Sequence, residues 1–146
     1  MFEKILVAID AADYSKEALP TAIEVAKKFD SQLFIVHVAE HDRGRAAAFS
    51  VETPAEATQL VADAVKHAKD AGIHAKGELL DRAAGHIAEA IAARAAAESV
   101  DLIVLGSRGL GDAQGFLLGS VTHHVTRLVD VPVLIARPKH AVAAGK

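Results

Sequence analysis

Cysteine is absent from the 146 residues, and with it disulfide staples, thiolate metal sites and cysteine nucleophiles. Tryptophan is absent too, and aromatic residues make up only 4% of the chain, so a core must be assembled from Ala, Val, Leu and Ile. There is no excess of positive charge: 16 Lys and Arg stand against 19 Asp and Glu, a formal net charge of -3, which implies no nucleic-acid-binding face. No apolar run reaches the length of a membrane span. The opening residues Met1 to Ile5 pass at once into a strand-like run, so no signal peptide is expected and a cytoplasmic protein is the natural reading. What is present is apolar content, 51% of residues, in a length that suits one domain with a sizeable core.

The apolar residues fall into alternating patterns. Lys4–Ile9 and Leu33–Val38 are apolar runs of the kind found in strands buried on both faces, as in parallel sheets. Between them, Ala18, Leu19, Ala22, Ile23, Ala26 and Phe29 recur at helical spacing, with Pro20 expected to loosen the first turns. Residues 39–52 read as a long, polar loop. Thr53, Pro54 and Glu56 then form a helix-start signature, a capping threonine and glutamate around a first-turn proline. Leu60, Ala64, Val65 and Ala68 supply that helix with a buried face, and Gly72 ends it. A more polar strand over His74–Leu80, containing Lys76, Gly77 and Glu78, suits a sheet edge. An alanine-rich helix over Ala83–Ser99, a strand at Leu102–Leu105, a helix from Ser120 to Val129 and a last strand at Val131–Ala136 complete the chain. The segment 139–146 is expected to be a frayed tail behind a single domain at 1–138.

The most informative stretch lies between the fourth strand and the last helix. Gly106, Gly109 and Gly119-Ser120 are spaced Gly-x2-Gly-x9-Gly-Ser. A strand, a glycine-rich loop and a helix N-terminus together suit an anion. Glycine lets the backbone approach a ligand, and the first helical N–H groups have no partner within the helix. Arg108 adds positive charge, and Ser120 and Thr122 add hydroxyl donors. The stretch is not a Walker loop, because Asp112 and Ala113 stand where Lys and Ser/Thr are required after Gly106 and Gly111. Nor do Gly109, Gly111 and Gly115 fit the dinucleotide fingerprint.

Five strands alternating with helices predict an α/β fold with a five-stranded parallel sheet and helices on both faces. An order 3-2-1-4-5 would bring Asp10, at the end of the first strand, beside Gly106 in the crevice beyond the strands' carboxyl ends, close to the end of the second strand at Val38.

Taken together, Ile5–Asp10, His37-Val38, Asp101–Gly109, Leu117–Thr122 and Val131–Ile135 resemble the ATP-binding branch of the universal stress protein family over nearly the whole chain. The resemblance implies the adenine nucleotide alpha hydrolase-like fold and, position by position, a site. Asp10 and the Val38 backbone would meet the adenine, with Ala8 and Ile9 lining its pocket. Gly106, Arg108 and Gly109 would approach the ribose and phosphates, and Gly119, Ser120, Val121 and Thr122 would hold the phosphates. Ala11-Ala12 depart from the Gly-Ser common in the family after the aspartate, and Ala83-Ala84 replace a common proline.

ATP is the expected ligand, with Mg2+ held mainly by its phosphates. The absence of a Walker lysine and of a base in the loop leaves no residue assigned to catalysis and predicts weak hydrolysis at most. Eight histidines are scattered, and adjacent His123 and His124 point in different directions on a helix, so no metal site is assigned. The apolar strand 131–136, at an edge in the order 3-2-1-4-5, suits a homodimer, and the resemblance implies the same. A receiver-like phosphoacceptor domain is the alternative, with Asp10 and Asp13 as an acidic pocket, Asp81 after the third strand and Ser107 after the fourth. Against it, Arg137-Pro138-Lys139 lacks the Lys-Pro that such domains carry. A further alternative is an oligomerisation module that binds no nucleotide.

Overall fold

The computed structural model describes residues 1–9, 15–41, 53–83, 86–107 and 120–137. Each of the remaining segments follows the carboxyl end of a strand. The elements alternate as expected: β1 (Lys4–Ile9), α1 (Ser15–Phe29), β2 (Gln32–His41), α2 (Pro54–Asp70), β3 (Ala75–Ala83), α3 (Ile87–Glu98), β4 (Leu102–Gly106), α4 (Ser120–Leu128) and β5 (Val133–Ala136). The five strands form one parallel sheet in the order β3-β2-β1-β4-β5.

Both faces of the sheet are buried. Ile5, Val7, Leu33, Ile35 and Val104 pack towards α1 and α2, where small residues such as Ala22, Ala26, Ala64 and Ala68 let the helices come close. Leu6, Phe34, Val36, Ile103 and Leu105 pack towards α3 and α4, against Ile87, Ile91 and Val125. The alternation of neighbouring residues between the two clusters is the period of two expected of strands covered on both sides.

Several boundaries differ from the sequence expectation. β2 continues through Ala39, Glu40 and His41, residues read from sequence as loop, because Asp81, Arg82 and Ala83 of β3 pair with them. β3 therefore also runs further than expected, and α3 starts only at Ile87. β5 starts at Val133, after Pro132, which has no N–H to give to a ladder; its carbonyl still accepts from the Ile103 N–H at 3.1 Å. α1 is continuous through Pro20. The start of α2 is as expected: Thr53 Oγ1 accepts from the Glu56 N–H at 3.0 Å, and Glu56 Oε1 accepts from the Thr53 N–H at 2.8 Å.

Three helices end alike at the amino side of the sheet. Asp30, Gly72 and Ser99 take left-handed φ values of 57°, 89° and 57° after α1, α2 and α3. In each case the next residue donates back to the last turn: Ser31 to Ala26, Ile73 to Ala68 and Val100 to Ala95, at 2.9, 3.0 and 3.1 Å. The turn brings the chain directly into, or to within a few residues of, the following strand. At Gly77 in β3 the absence of a side chain is a packing requirement, since a Cβ there would lie 2.7 Å from both Val61 Cγ1 and Val65 Cγ2 of α2.

Candidate functional site

The hydrogen-bonding ladders locate an opening in the sheet. β1 pairs with β2 through Ile9↔His37, and β4 pairs with β5 through Gly106↔Ala136. Between β1 and β4, however, the register ends at Val7↔Val104. The last residues of these two central strands, Ala8 and Ile9 on one side and Leu105 and Gly106 on the other, thus border a gap at the carboxyl end. This is where the strand order reverses, since β1 leads outward to β2 and β4 leads outward to β5. Open α/β sheets bind ligands at such a point.

The structure brings several of the expected site residues to this opening. Ala8, Val38 and Val121 belong to the same apolar cluster, on the α3 and α4 side, with Val38 5% exposed. Ile9 is 6% exposed and packs in the opposite cluster, so a ligand on the α4 side would meet its backbone rather than its side chain. Gly106 ends β4 half-buried, and Ser107 behind it is buried, its N–H donating to the Ala136 carbonyl at 2.9 Å. Ser120, Val121 and Thr122 form the first turn of α4, whose N–H groups have no acceptor four residues earlier within the helix. Ser120 is exposed and Thr122 is 2% exposed. The Thr122 hydroxyl donates to the Gly106 carbonyl at 2.9 Å, joining the start of α4 to the end of β4. Asp10, Arg108, Gly109 and Gly119 lie outside the described residues, as do Ala11, Ala12 and Asp13.

Sequence reasoning gave His37 no role at this site, and the structure does. The ring is 3% exposed, and its Nδ1 lies 2.9 Å from the Ile9 carbonyl, the last one of β1. A carbonyl can only accept, so this nitrogen carries the proton. The contact fixes the end of β1 at the edge of the opening. The available signal was the position of a polar ring at the end of an apolar strand, but its partner lies 28 residues away and depends on the register.

Elsewhere, His124 Nε2 stands 3.8 Å from Glu89 Oε2 across α4 and α3, a half-exposed pair. Among the described residues no three His, Cys, Asp or Glu converge as a metal site. A cleft opens at the opposite, amino end of the sheet, between Lys4, Leu33, Phe34, His74, Lys76 and Glu98. Its two lysines are engaged with Glu98, Lys4 Nζ at 3.0 Å from the carbonyl and Lys76 Nζ at 3.3 Å from the carboxylate.

The sequence profile described as the Universal stress protein family matches residues 1–137. This chain belongs to that family. It is 34% identical to the universal stress protein YxiE of Bacillus subtilis, over 94% of this chain and 100% of the relative. It is 32% identical to the universal stress protein Rv1636 of Mycobacterium tuberculosis, over 92% and 95% respectively. Among solved structures it is similar to that of a universal stress protein in complex with cAMP, at 25% identity and a TM-score of 0.71, covering 94% of this chain and 98% of that one. The family and the sheet order agree against the receiver alternative, whose order is 2-1-3-4-5. Asp81, which that alternative placed after the third strand, lies within β3. No helix among the described residues is long and apolar enough to cross a membrane.

Proposed function

We propose that this universal stress protein binds ATP, with Mg2+ held mainly by the phosphates, and acts as a nucleotide-responsive stress module with weak hydrolysis at most. The observation that carries the reading is the parting of β1 and β4 after Val7↔Val104, with the first turn of α4 tied to Gly106 at the same place. Around this opening stand apolar surfaces from Ala8, Val38 and Val121, of a kind that suits a flat base. The first-turn N–H groups of Ser120, Val121 and Thr122 suit phosphate oxygens. In this reading Asp10 and the Val38 backbone meet adenine, Ile9 contributes its backbone, and Gly106, Arg108, Gly109 and Gly119 surround ribose and phosphates. The cAMP complex of the similar protein supports an adenine nucleotide as the class of ligand. No Walker lysine accompanies the glycines, which supports binding rather than turnover. The test is to denature freshly purified protein and identify the released nucleotide by mass and chromatography, followed by calorimetry with ATP and Mg2+. ATP or ADP is the expected release. Protein that carries no nucleotide and takes up none would favour a pure oligomerisation module.

The same reading makes residues 1–138 one cytoplasmic domain, with 139–146 as a tail, and pairs two copies through β5. β5 is an edge strand of the sheet, and its Val133, Leu134 and Ile135 are only half-buried. Leu128 on the neighbouring α4 is 44% exposed. Pairing two such edges about a two-fold axis would satisfy their backbone and cover these side chains. Sedimentation at micromolar concentration is expected to give a dimer that charged residues at Val133 and Ile135 convert to monomer. A monomeric mass for the unmodified protein would end the proposal.

A further inference from the structure

β1 runs two residues past its last pair with β4. Ala8 and Ile9 are registered on one side only, against Val36 and His37 of β2. Backbone groups alternate sides along a strand. The Glu3 carbonyl accepts from Gln32 of β2 and the Lys4 carbonyl from Asp101 beside β4, so the Ile9 carbonyl, like that of Glu3, is turned to β2. There it meets a side chain: His37 Nδ1 donates to it at 2.9 Å. The same alternation sends the Gln32 N–H to β1 and the Leu33 N–H to His74 beside β3, which turns the backbone of Val38 towards β1. Val38 is the first residue of β2 beyond the Ile9↔His37 pair, so its carbonyl stands at the opening. The His37 ring shares the strand face of Leu33 and Ile35, on the α1 and α2 side, while Ala8, Val36 and Val38 lie on the other. At 3% exposed, the ring is shut away from a ligand on the α4 side.

We infer that His37 is a positioning residue for the base of the nucleotide, acting through the Ile9 carbonyl without touching the ligand. The inference deepens the nucleotide reading above and rests on it. A strand end paired on one side only has fewer ties to keep its last peptide in place. The imidazole supplies a tie where the β4 register has stopped. With the Ile9 peptide held against β2, the neighbouring Val38 carbonyl presents one orientation to whatever enters. Adenine carries an amino donor at position 6, where guanine carries an oxygen acceptor. A carbonyl in a fixed place accepts from the first and repels the second. Once the strand end is released, the base can shift and that contrast fades. A slot set in advance also leaves less to be ordered on binding, and the saving appears as affinity. His37 thereby sets how well the site tells adenine from guanine.

The experiment compares ATP with GTP by calorimetry on the full chain with Mg2+. The unmodified protein is expected to prefer ATP. His37→Leu fills similar space and removes the donor, leaving the Ile9 carbonyl without this partner. ATP affinity is expected to fall about 5- to 30-fold while GTP affinity changes less than about twofold, so the preference shrinks by nearly the same factor. His37→Asn, whose amide nitrogen sits as many bonds from the backbone as Nδ1, is expected to restore the preference. A merely structural ring would lower the melting temperature and weaken both nucleotides together, or neither. Either result in His37→Leu would overturn the inference. If His37→Leu does not fold, His37→Gln, whose amide reaches the Nε2 position and not the Nδ1 position, carries the same comparison. Unmodified protein that binds ATP and GTP alike would overturn the role of His37 and leave the nucleotide reading standing. Unmodified protein that binds neither would overturn the nucleotide reading, and the role of His37 with it.

Discussion

Asp101 and Gly106 stand at the two ends of β4, and their surroundings differ in kind. At the amino end, the Asp101 carboxylate accepts from the N–H groups of Glu3 and Lys4 at 3.0 and 3.2 Å, while its own N–H donates to the Lys4 carbonyl at 2.9 Å. Gln32 N–H donates to the Glu3 carbonyl, Leu33 N–H to the His74 carbonyl, and the Ser31 hydroxyl to the Phe2 carbonyl. A charged cluster adds to these ties. Arg94 lies 2.9 Å from Glu78 and 3.0 Å from Glu98, and the cations of Arg94 and Lys76 lie over the Phe34 ring at 5.5 and 5.3 Å from its centre. These pairs are partly solvated, so each contributes modestly, and together they hold the end of α3 against β2 and β3. At the carboxyl end, the β1–β4 register stops at Val7↔Val104, and among the described residues His37 is tied to Ile9, Thr122 to Gly106 and Ser107 to Ala136. One end of the sheet joins each element to the next. At the other, the β1–β4 pairing stops short of the strand ends, and among the described residues the His37 and Thr122 side chains hold the edges. Under the proposed nucleotide reading, fold stability and ligand affinity would rest on different residues.

That division predicts mutations that move one property without the other. The largest effect is expected at Gly119, the last glycine before Ser120. In the proposed site, Gly119→Val would place a branched side chain where the reading brings the backbone to phosphate, and ATP affinity should fall at least about 100-fold, or about 2.8 kcal/mol. Its urea midpoint should stay close to that of the unmodified protein. Calorimetry showing unchanged ATP affinity would remove the loop from the site.

Gly77→Ala is the converse test. The added methyl meets both Val61 and Val65 at 2.7 Å, so α2 must shift or the valines must leave their rotamers. The expected cost is about 1–3 kcal/mol of unfolding free energy, read in urea, with ATP affinity unchanged. A fall in affinity of similar size would mean that the two ends are coupled through α2 and β3.

The smallest effect has the opposite sign. Ser99 holds a left-handed φ of 57°, a conformation that costs a residue with a Cβ and costs glycine little. Ser99→Gly should relieve that strain but loosen the unfolded chain, for a net gain of about 0.5 kcal/mol. Thermal melting should rise by about 1–2 °C, with nucleotide binding unaffected; a lowered melting temperature would show that the turn after α3 draws more from the serine than its conformation.

Much of the scaffold was legible without coordinates, for local reasons. The capping box at Thr53–Glu56 and the stop at Gly72 depend on residues within a few positions of one another, and both are present. The apolar runs at β1, β2 and β4 identified strands buried on both faces, and their alternation with helices led to the parallel sheet in the order 3-2-1-4-5. The strand ends were less legible. Ala39–His41 and Asp81–Ala83 look polar or irregular in isolation, yet they pair because each provides the backbone partner of the other. Of the candidate site, the helix start at Ser120 was readable from neighbouring residues, while Gly109 and Gly119 lie outside the described residues.

The sequence by itself determined the elements, because caps, glycines and apolar periods act over one or two turns. It also carried the family, in motifs spread from Ile5 to Ile135. Only the tertiary structure decided where β1 and β4 separate, that His37 holds the Ile9 carbonyl, and that the Thr122 hydroxyl turns to Gly106 and not back along its own helix. The reason is distance along the chain. A hydrogen bond between residues 16 or 28 positions apart exists only once the register of the sheet and the seat of the helix are set, and those are properties of the packed whole.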